Sequence, residues 1–237
     1  MLAMSAVVYS RCTSYREVGL VKGTFEETDE QPFLTVFQRP GSVRFESIRR
    51  QGGRADWWVC WGAEPEVSAW WNLDGKTRLN TTIQGAIAAP MGFSGLCAGI
   101  STDWLMGRRS WVEELRGARV ISEEELDGRR CVVVRGDDLS SFPCDVWLDA
   151  ETLVLRKLRK YEEFPMTMVC RPELDPAVAS ESFQFKVVAE DVRVLSKMTM
   201  LGNGTAVTKE LRELAGDPRE GAIPVPEERK RVRWKLR

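Results

Sequence analysis

The side chains that could carry chemistry in this chain are carboxylates, a few serines and six cysteines, because its 237 residues include no histidine. Histidine is the most common general base and a frequent metal ligand. Its absence excludes Ser-His-Asp and Cys-His catalysis, and every zinc site with a histidine ligand. The segment Gly92-Phe93-Ser94-Gly95-Leu96 lacks the glycine spacing of a nucleophile elbow, and no base is present to activate its serine.

Carboxylates remain as candidate acids and bases. Asp137 and Asp138 are adjacent, and Glu162 follows a basic stretch. An enzyme built on them would need a polar cleft with closely spaced carboxyl groups, whereas solvated charge in turns also explains such residues. We therefore predict a protein that is not an enzyme and that has no cofactor and no metal. The net charge of −1 argues against a nucleic-acid partner.

The cysteines and the ends of the chain bear on the cellular compartment. No two of Cys12, Cys60, Cys97, Cys131, Cys144 and Cys170 have the short spacing of a zinc knuckle or redox motif. The pattern favours buried thiols over a set of disulfides. The first residues lack a basic signal-peptide region, which indicates either a cytoplasmic protein or a signal already removed. No apolar run reaches the length of a membrane span.

Five tryptophans lie between residues 57 and 71, in two aromatic-rich segments that read as strands. One interpretation is core packing between strands. The other is an aromatic wall that faces an apolar ligand. For that wall we name five candidate residues: Phe37, Phe45, Trp58, Trp61 and Trp70.

Small and apolar residues dominate Ile83–Ile100. Pro90 is expected to divide this segment into a short helix and a glycine-rich part. The segment could be a buried connecting helix, or a mobile lid over a hydrophobic cavity, because its glycines permit hinge motion. The lid candidates are Ile83, Ile87, Met91, Phe93 and Leu96.

Around these segments, hydrophobic periodicity predicts an amphipathic helix over residues 4–15, followed by consecutive antiparallel strands. A further helix should begin at Thr102 or Asp103. The strand over residues 153–161 carries basic side chains on both faces, which suits an edge strand or a strand with one face in water. The other predicted strands are 20–25, 33–38, 42–48, 57–61, 67–71, 118–125, 131–134, 144–148, 165–170 and 182–188.

These elements predict an α+β fold: a strongly curved antiparallel sheet, or incomplete β-barrel, with helices packed in its concave face. Residues 1–189 would form this domain and residues 190–237 a C-terminal extension. Residues 227–237 include six basic and two acidic residues. Such a tail is typically solvated, and contact with an anionic lipid surface or with phosphate is the alternative.

The order of elements over residues 4–187 resembles the LolA/LolB-like superfamily of lipoprotein carriers, which includes periplasmic sensor domains of the RseB/MucB type. The resemblance rests on the opening helix with Tyr9–Tyr15, the segments Phe37–Phe45 and Val146–Leu155, and a closing element from Asp175-Pro176 to Phe183-Gln184-Phe185.

This resemblance implies a half-barrel whose apolar concave face, covered by helices, holds acyl chains. By position, Arg39 of the Arg-Pro turn takes the role of the arginine that latches the helical lid closed. The implied function is binding of an acyl chain, lipid or lipoprotein as a carrier or sorting protein in the periplasm or another extracytoplasmic space. The alternative is a sensor or protein-interaction module on the same fold, with a partner protein, or a membrane surface met through the basic tail.

Overall fold

Eleven antiparallel strands form one open, curved sheet in the part of the chain that the structure describes. The structure is a computed structural model, and it describes residues 1–23, 30–51, 54–72, 75–93, 99–162 and 165–185. The strand order is β6-β5-β4-β3-β2-β1-β11-β10-β9-β8-β7. The sheet thus consists of two meanders that meet where β1 pairs with β11, and β6 and β7 are its edges. The predicted α+β fold with a curved antiparallel sheet is confirmed.

The elements follow one another in simple order along the chain. Within the described residues the α-helices are α1 (Leu2–Arg11), α2 (Ile83–Phe93) and α3 (Ile100–Leu105). Short 3₁₀ turns occupy Trp111–Glu114 and Ser180–Phe183. The strands are β1 (Ser14–Lys22), β2 (Glu30–Gln38), β3 (Ser42–Gln51), β4 (Arg54–Ala63), β5 (Glu66–Trp71), β6 (Lys76–Asn80), β7 (Arg116–Leu126), β8 (Arg129–Asp137), β9 (Pro143–Asp149), β10 (Leu155–Lys160) and β11 (Met166–Leu174).

The two faces of the sheet carry separate apolar clusters, as strand alternation requires. The helix-side face packs against α1, α2 and α3, which we call the helical cover, and together they form the larger cluster. The opposite face carries a smaller cluster that includes Trp57, Val59 and Trp70. Residues Val178, Phe183 and Phe185 of the chain segment after β11 pack on that second cluster.

The first helix and the central strand meet through aromatic rings. Tyr9 of α1 lies between Tyr15 of β1 and Trp104 of α3, with ring centroids 5.2 and 5.1 Å apart. The Tyr9 hydroxyl accepts a hydrogen bond from the Leu155 amide at 3.1 Å, which joins α1 to β10. All three aromatic side chains are fully buried. The helical cover is therefore fixed to the centre of the sheet at this point.

Some boundaries differ from those predicted. The helix expected over residues 4–15 ends at Arg11, because Cys12 is extended and Tyr15 belongs to β1. The strand predicted at residues 182–188 was wrong over its described part, where the chain forms a 3₁₀ turn and then packs on the sheet.

The basic strand and the proline also behave differently from the prediction. β10 is not an edge strand but lies between β9 and β11. Its charges are accommodated there because Arg156 pairs with Asp149 at 3.1 Å and Lys157 lies 4.3 Å from the centroid of the Trp147 ring. Pro90 lies inside α2 rather than at its end. The extension at residues 190–237 lies outside the described residues.

The described cysteines are buried free thiols: Cys12, Cys60, Cys131, Cys144 and Cys170. Cys97 lies outside the described residues. Burial raises the pKa of the Cys60 thiol to about 12 and that of Cys12 to about 11. At neutral pH these two thiols are therefore protonated and act as small apolar side chains.

Candidate functional site

The five predicted wall residues lie on two different faces. Phe37, Phe45 and Trp58 belong to the helix-side cluster. Trp61 and Trp70 belong to the cluster on the opposite face. Side chains of a strand alternate between faces, and Trp58 and Trp61 are an odd number of residues apart in β4. The structure therefore brings three of the five together beneath the helical cover and separates the other two from them.

Helix α2 covers the end of the sheet formed by β3 to β6. Two lid candidates, Ile83 and Ile87, are fully buried, and Met91 packs against the same cluster. The outer side of α2 presents Gly85, Ala88 and Gly92 to solvent. Phe93 is the last residue of the helix, whereas Leu96 lies outside the described residues. α2 contains no charged residue, and its one polar side chain, Gln84, donates to Asp103 of α3 at 2.7 Å.

The N-terminal end of α2 is held by Glu64, whose carboxylate also forms an ion pair with Arg108. Glu64 Oε1 accepts the Ile83 amide at 2.8 Å. Both Glu64 oxygens accept hydrogen bonds from Arg108, at 2.8 and 2.7 Å, and these bonds keep the pKa of Glu64 below its usual value despite some burial. The Thr82 hydroxyl accepts the Gly85 amide at 3.1 Å, which is the geometry of an N-cap.

Two side chains from the sheet bind carbonyl groups farther along α2. The Trp58 indole donates to the carbonyl of Ala86 at 2.7 Å. The Gln31 amide donates to the carbonyl of Pro90 at 3.2 Å. Pro90 has no N–H, so the Ala86 carbonyl lacks its usual partner within the helix. Trp58 supplies that missing hydrogen bond.

Arg39, the predicted latch, binds the ends of the other two helices. Its guanidinium donates to the carbonyls of Cys12 at 2.9 Å, Ser10 at 2.5 Å and Leu105 at 3.1 Å. A longer bond of 3.3 Å reaches the carbonyl of Tyr9. The last carbonyls of a helix have no partner within it and carry partial negative charge. Arg39 therefore joins the C-terminal ends of α1 and α3, and these contacts lie away from α2.

A buried carboxyl group lies beneath the helical cover, and sequence reasoning did not single it out. Glu17 of β1 is 1% exposed and accepts a hydrogen bond from the Ser101 hydroxyl of α3 at 3.1 Å. Burial raises the pKa of Glu17 to about 7. Residues that point to both faces of the sheet are buried in β1. The alternation of apolar and polar residues therefore gave no indication that the Glu17 side chain lies under the helices.

The opposite face holds a buried ion pair and a small cavity. Arg44 Nε donates to Glu46 Oε1 at 2.6 Å, and Arg44 also donates to the carbonyl of Gln184 at 2.9 Å. A cavity of about 140 Å³ lies beside Arg44 and Val178. The rings of Trp57 and Trp70 pack against Phe185 at 5.7 and 5.6 Å. The segment after β11 therefore covers the part of this face that carries Trp57 and Trp70.

The carboxylate candidates for an enzyme lie at the other end of the sheet. Asp138 accepts the amides of Ser140 and Phe142 at 2.9 and 3.0 Å, which fixes a turn. Lys160 lies 3.4 Å from Asp138 and also pairs with Glu162. Asp138 and Glu162 therefore share one cation, and Asp137 is exposed at the end of β8. The described residues contain no group of three or more His, Cys, Asp or Glu side chains suited to a metal ion.

Comparison with known proteins gives no match by sequence and distant matches by structure. No protein-family model matches the chain. No curated protein shows significant similarity to it. A MucA/MucB complex of Pseudomonas aeruginosa matches with a TM-score of 0.46 and 13% identity, over 78% of this chain and 59% of that chain. The chain spans about 60% of the length of the MucB chains it matches.

Two further structures match over nearly their whole length. The lipoprotein LppX of Mycobacterium tuberculosis matches with a TM-score of 0.45 and 10% identity, over 75% of this chain and 95% of that chain. A LolA-superfamily protein of Nitrosomonas europaea matches with a TM-score of 0.31 and 7% identity, over 78% and 96%. The matches thus include the superfamily that the sequence resembles, but TM-scores below 0.5 at such identities carry no function to this chain.

None of the described helices is both long and apolar enough to cross a membrane.

Proposed function

We propose that this protein binds, without catalysing a reaction, an acyl chain of a lipid or lipoprotein between the helix-side face of its sheet and helix α2. One observation carries the proposal: an uncharged helix with an apolar inner side covers a continuous face of aromatic and aliphatic side chains. Each methylene group moved from water to such a face contributes about 0.8 kcal/mol. Part of an acyl chain is therefore enough for useful affinity.

The exposed side of α2 supports a mobile role. A helix with almost no polar side chains is normally buried on all sides, yet Gly85, Ala88 and Gly92 face solvent. Such a helix can exchange its contacts with the sheet for contacts with an acyl chain without exposing or burying a charge. The ionic contact of Glu64 holds its N-terminal end, and the hydrogen bonds from Trp58 and Gln31 are neutral. We propose that α2 moves about its N-terminal end when the ligand enters.

The proposal can be tested on the purified protein by native mass spectrometry, followed by denaturing extraction and lipid analysis. A diazirine-bearing phosphatidylcholine then maps the site, because photolysis attaches the acyl chain to the residues it touches. We expect attachment to α2 and to Trp58. Trp61, three residues along the same strand but on the opposite face, is the matched internal control. Attachment confined to Trp61 and Trp70, or no binding of any lipid, contradicts the proposal.

A second candidate function is a protein-interaction module, and the edge strand β7 favours it. Val120 and Ile121 of β7 are 53% and 39% exposed. An edge strand with unpaired backbone groups and apolar side chains can bind an extended peptide as an additional strand. A partner protein that co-purifies while lipid does not, and whose binding is lost when Ile121 is replaced by proline, supports this second function over the first.

The location and partners follow from the same proposal. An extracytoplasmic location and a lipid or acylated-protein partner are what the resemblance of the sequence implies for a carrier. Contact of residues 227–237 with a membrane surface remains a proposal about residues outside the described part of the chain.

A further inference from the structure

Glu17 lies where the helical cover meets the centre of the sheet. Its Oε1 atom accepts the hydroxyl of Ser101, which belongs to α3. Its Oε2 atom is buried and lacks a well-aligned hydrogen-bond partner among the described residues. Thr35 lies opposite Glu17 on β2, and its buried hydroxyl oxygen also lacks a well-aligned hydrogen-bond partner among the described residues. Hydrogen bonding by Cys170, Ser101, Tyr15 and Thr35 lowers the pKa of Glu17, but the effect of burial is larger.

The groups that face Glu17 come from every element around it, and they are hydroxyls and a thiol. They are Tyr9 of α1, Tyr15 of β1, Thr35 of β2, Ser101 of α3 and Cys170 of β11. Arg156 of β10 is a cation that acts on Cys170, but it pairs with Asp149 at 3.1 Å, and no cation in the described part of the chain contributes to the pKa shift of Glu17. A negative charge on Glu17 would therefore be stabilised by neutral donors only.

We propose that ionisation of Glu17 loosens the packing of α3 and α1 on the sheet, so that the helix-side face opens more readily at pH 8 than at pH 5.5. A charged carboxylate regains water when the cover moves away, whereas a neutral carboxyl group has less to gain. The ligand-binding part of this inference rests on the proposed function. The conformational part stands on the contacts of Glu17 alone.

The direction of the pH dependence of opening follows from the pKa of Glu17, which burial raises to about 7. A carboxyl group with a raised pKa in the closed state favours that state below its ordinary pKa of about 4.3. The advantage declines as pH rises and is lost above about pH 7. From pH 5.5 to pH 8 we expect the equilibrium constant for opening to rise roughly thirtyfold.

Hydrogen exchange of the intact protein tests the conformational part. Protection of the amides in α3 and α1, corrected for intrinsic exchange, should fall roughly thirtyfold between pH 5.5 and pH 8. In Glu17→Gln this fall should disappear. Glu46→Gln is the matched control, because Glu46 is also buried with a pKa of about 7 but lies on the opposite face. Glu46→Gln should keep the pH dependence of α3.

A second variant keeps the inference testable if Glu17→Gln fails to fold. Ser101→Ala removes a hydrogen bond to the ionised form of Glu17, so the midpoint of the loss of protection should move to higher pH. An unchanged midpoint, a pH-independent wild-type protein, or loss of the pH dependence in Glu46→Gln instead of Glu17→Gln would each overturn the inference.

Lipid uptake separates this inference from the proposed function. The probe is pyrene-labelled phosphatidylcholine, whose headgroup charge is constant over this pH range. We expect wild-type uptake to be faster at pH 8 than at pH 5.5, and uptake by Glu17→Gln to be equally slow at both. If no uptake occurs at either pH while hydrogen exchange retains its Glu17-dependent change, the proposed function fails and the conformational inference stands. If uptake occurs at both pH values while hydrogen exchange shows no Glu17-dependent change, the conformational inference fails and the proposed function stands.

Discussion

The indole N–H of Trp58 donates to the Ala86 carbonyl at 2.7 Å, and this is the carbonyl that Pro90 leaves without its helical hydrogen bond. Strand β4 thus completes the hydrogen bonding of α2. A proline inside a helix normally costs about 3 kcal/mol. Here the loss is partly offset by a bond that exists only while α2 lies on the sheet, so helix integrity and docking are linked.

This linkage predicts that Trp58 and Pro90 are energetically coupled. Trp58→Phe should lower the free energy of unfolding by about 1–3 kcal/mol, because it leaves the Ala86 carbonyl unsatisfied. Pro90→Ala restores an amide donor within the helix, so the same Trp58→Phe change should cost about 1 kcal/mol less in the Pro90→Ala background. Urea unfolding of the four proteins measures the coupling. Additive effects of the two substitutions would show that the two residues do not share this carbonyl.

The same hydrogen bond should limit the rate at which α2 moves. Trp58→Phe is expected to speed uptake of pyrene-labelled phosphatidylcholine about fivefold, if the bond contributes about 1 kcal/mol to the closed state. Trp61→Phe is the matched control, since Trp61 is also partly buried in β4 but faces away from α2. Stopped-flow fluorescence gives both rates. Equal acceleration by the two variants would contradict a role for this bond in α2 motion.

The tryptophans show which part of the site could be predicted from the sequence. The strands of β4 and β5 were predictable from their aromatic residues, but their orientation was not. Both phases of β4 are aromatic, with Trp57 and Trp61 on one face and Trp58 on the other. Alternation assigns residues to two sets and cannot decide which set faces the helices. That decision depends on pairing between distant strands, such as β1 with β11.

Other differences have similar causes. The apolar spacing that predicted a helix to residue 15 was real, but Tyr15 lies in the central strand, where it contacts Tyr9 and Ser101. The basic residues of β10 suggested an edge because a sequence does not show that Asp149 and Trp147 lie next to them. Tertiary partners decide these positions, whereas local patterns decide only that strands exist there.

The contacts of Arg39 predict that it stabilises the α1 and α3 ends of the cover. Arg39→Met should lower the free energy of unfolding by about 2–3 kcal/mol, because several helix-end carbonyls lose a charged donor. Arg39→Lys should recover only part of this loss, since an ammonium group cannot reproduce the planar guanidinium geometry. Urea unfolding measures both. Arg171→Met is the control, because Arg171 is exposed and its ion pair with Asp127 is long, at 3.9 Å. A loss no larger than that of the control would contradict this role.

Asp175 predicts a stability change in the acid range, opposite in sign to that of Glu17. Its Oδ1 atom accepts the Thr13 amide at 2.6 Å and the Thr13 hydroxyl at 2.8 Å, which joins the ends of β11 and β1. These hydrogen bonds hold the pKa of Asp175 below its usual value. Its stabilisation is therefore present above the unfolded pKa of about 3.9 and is lost as pH falls through the lower folded value.

The substitution that isolates this charge is Asp175→Asn, because asparagine tolerates the left-handed backbone of residue 175, whose φ is 54°. At pH 7 we expect Asp175→Asn to unfold with a free energy lower by about 1 kcal/mol, and the difference from wild type should shrink toward zero near pH 2.5. Asp127→Asn is the matched control, since Asp127 is exposed and has a φ of 51°. Its effect should stay below about 0.5 kcal/mol. A difference at residue 175 that is constant with pH would mean that the amide hydrogen bonds, rather than the charge, hold the strand ends together.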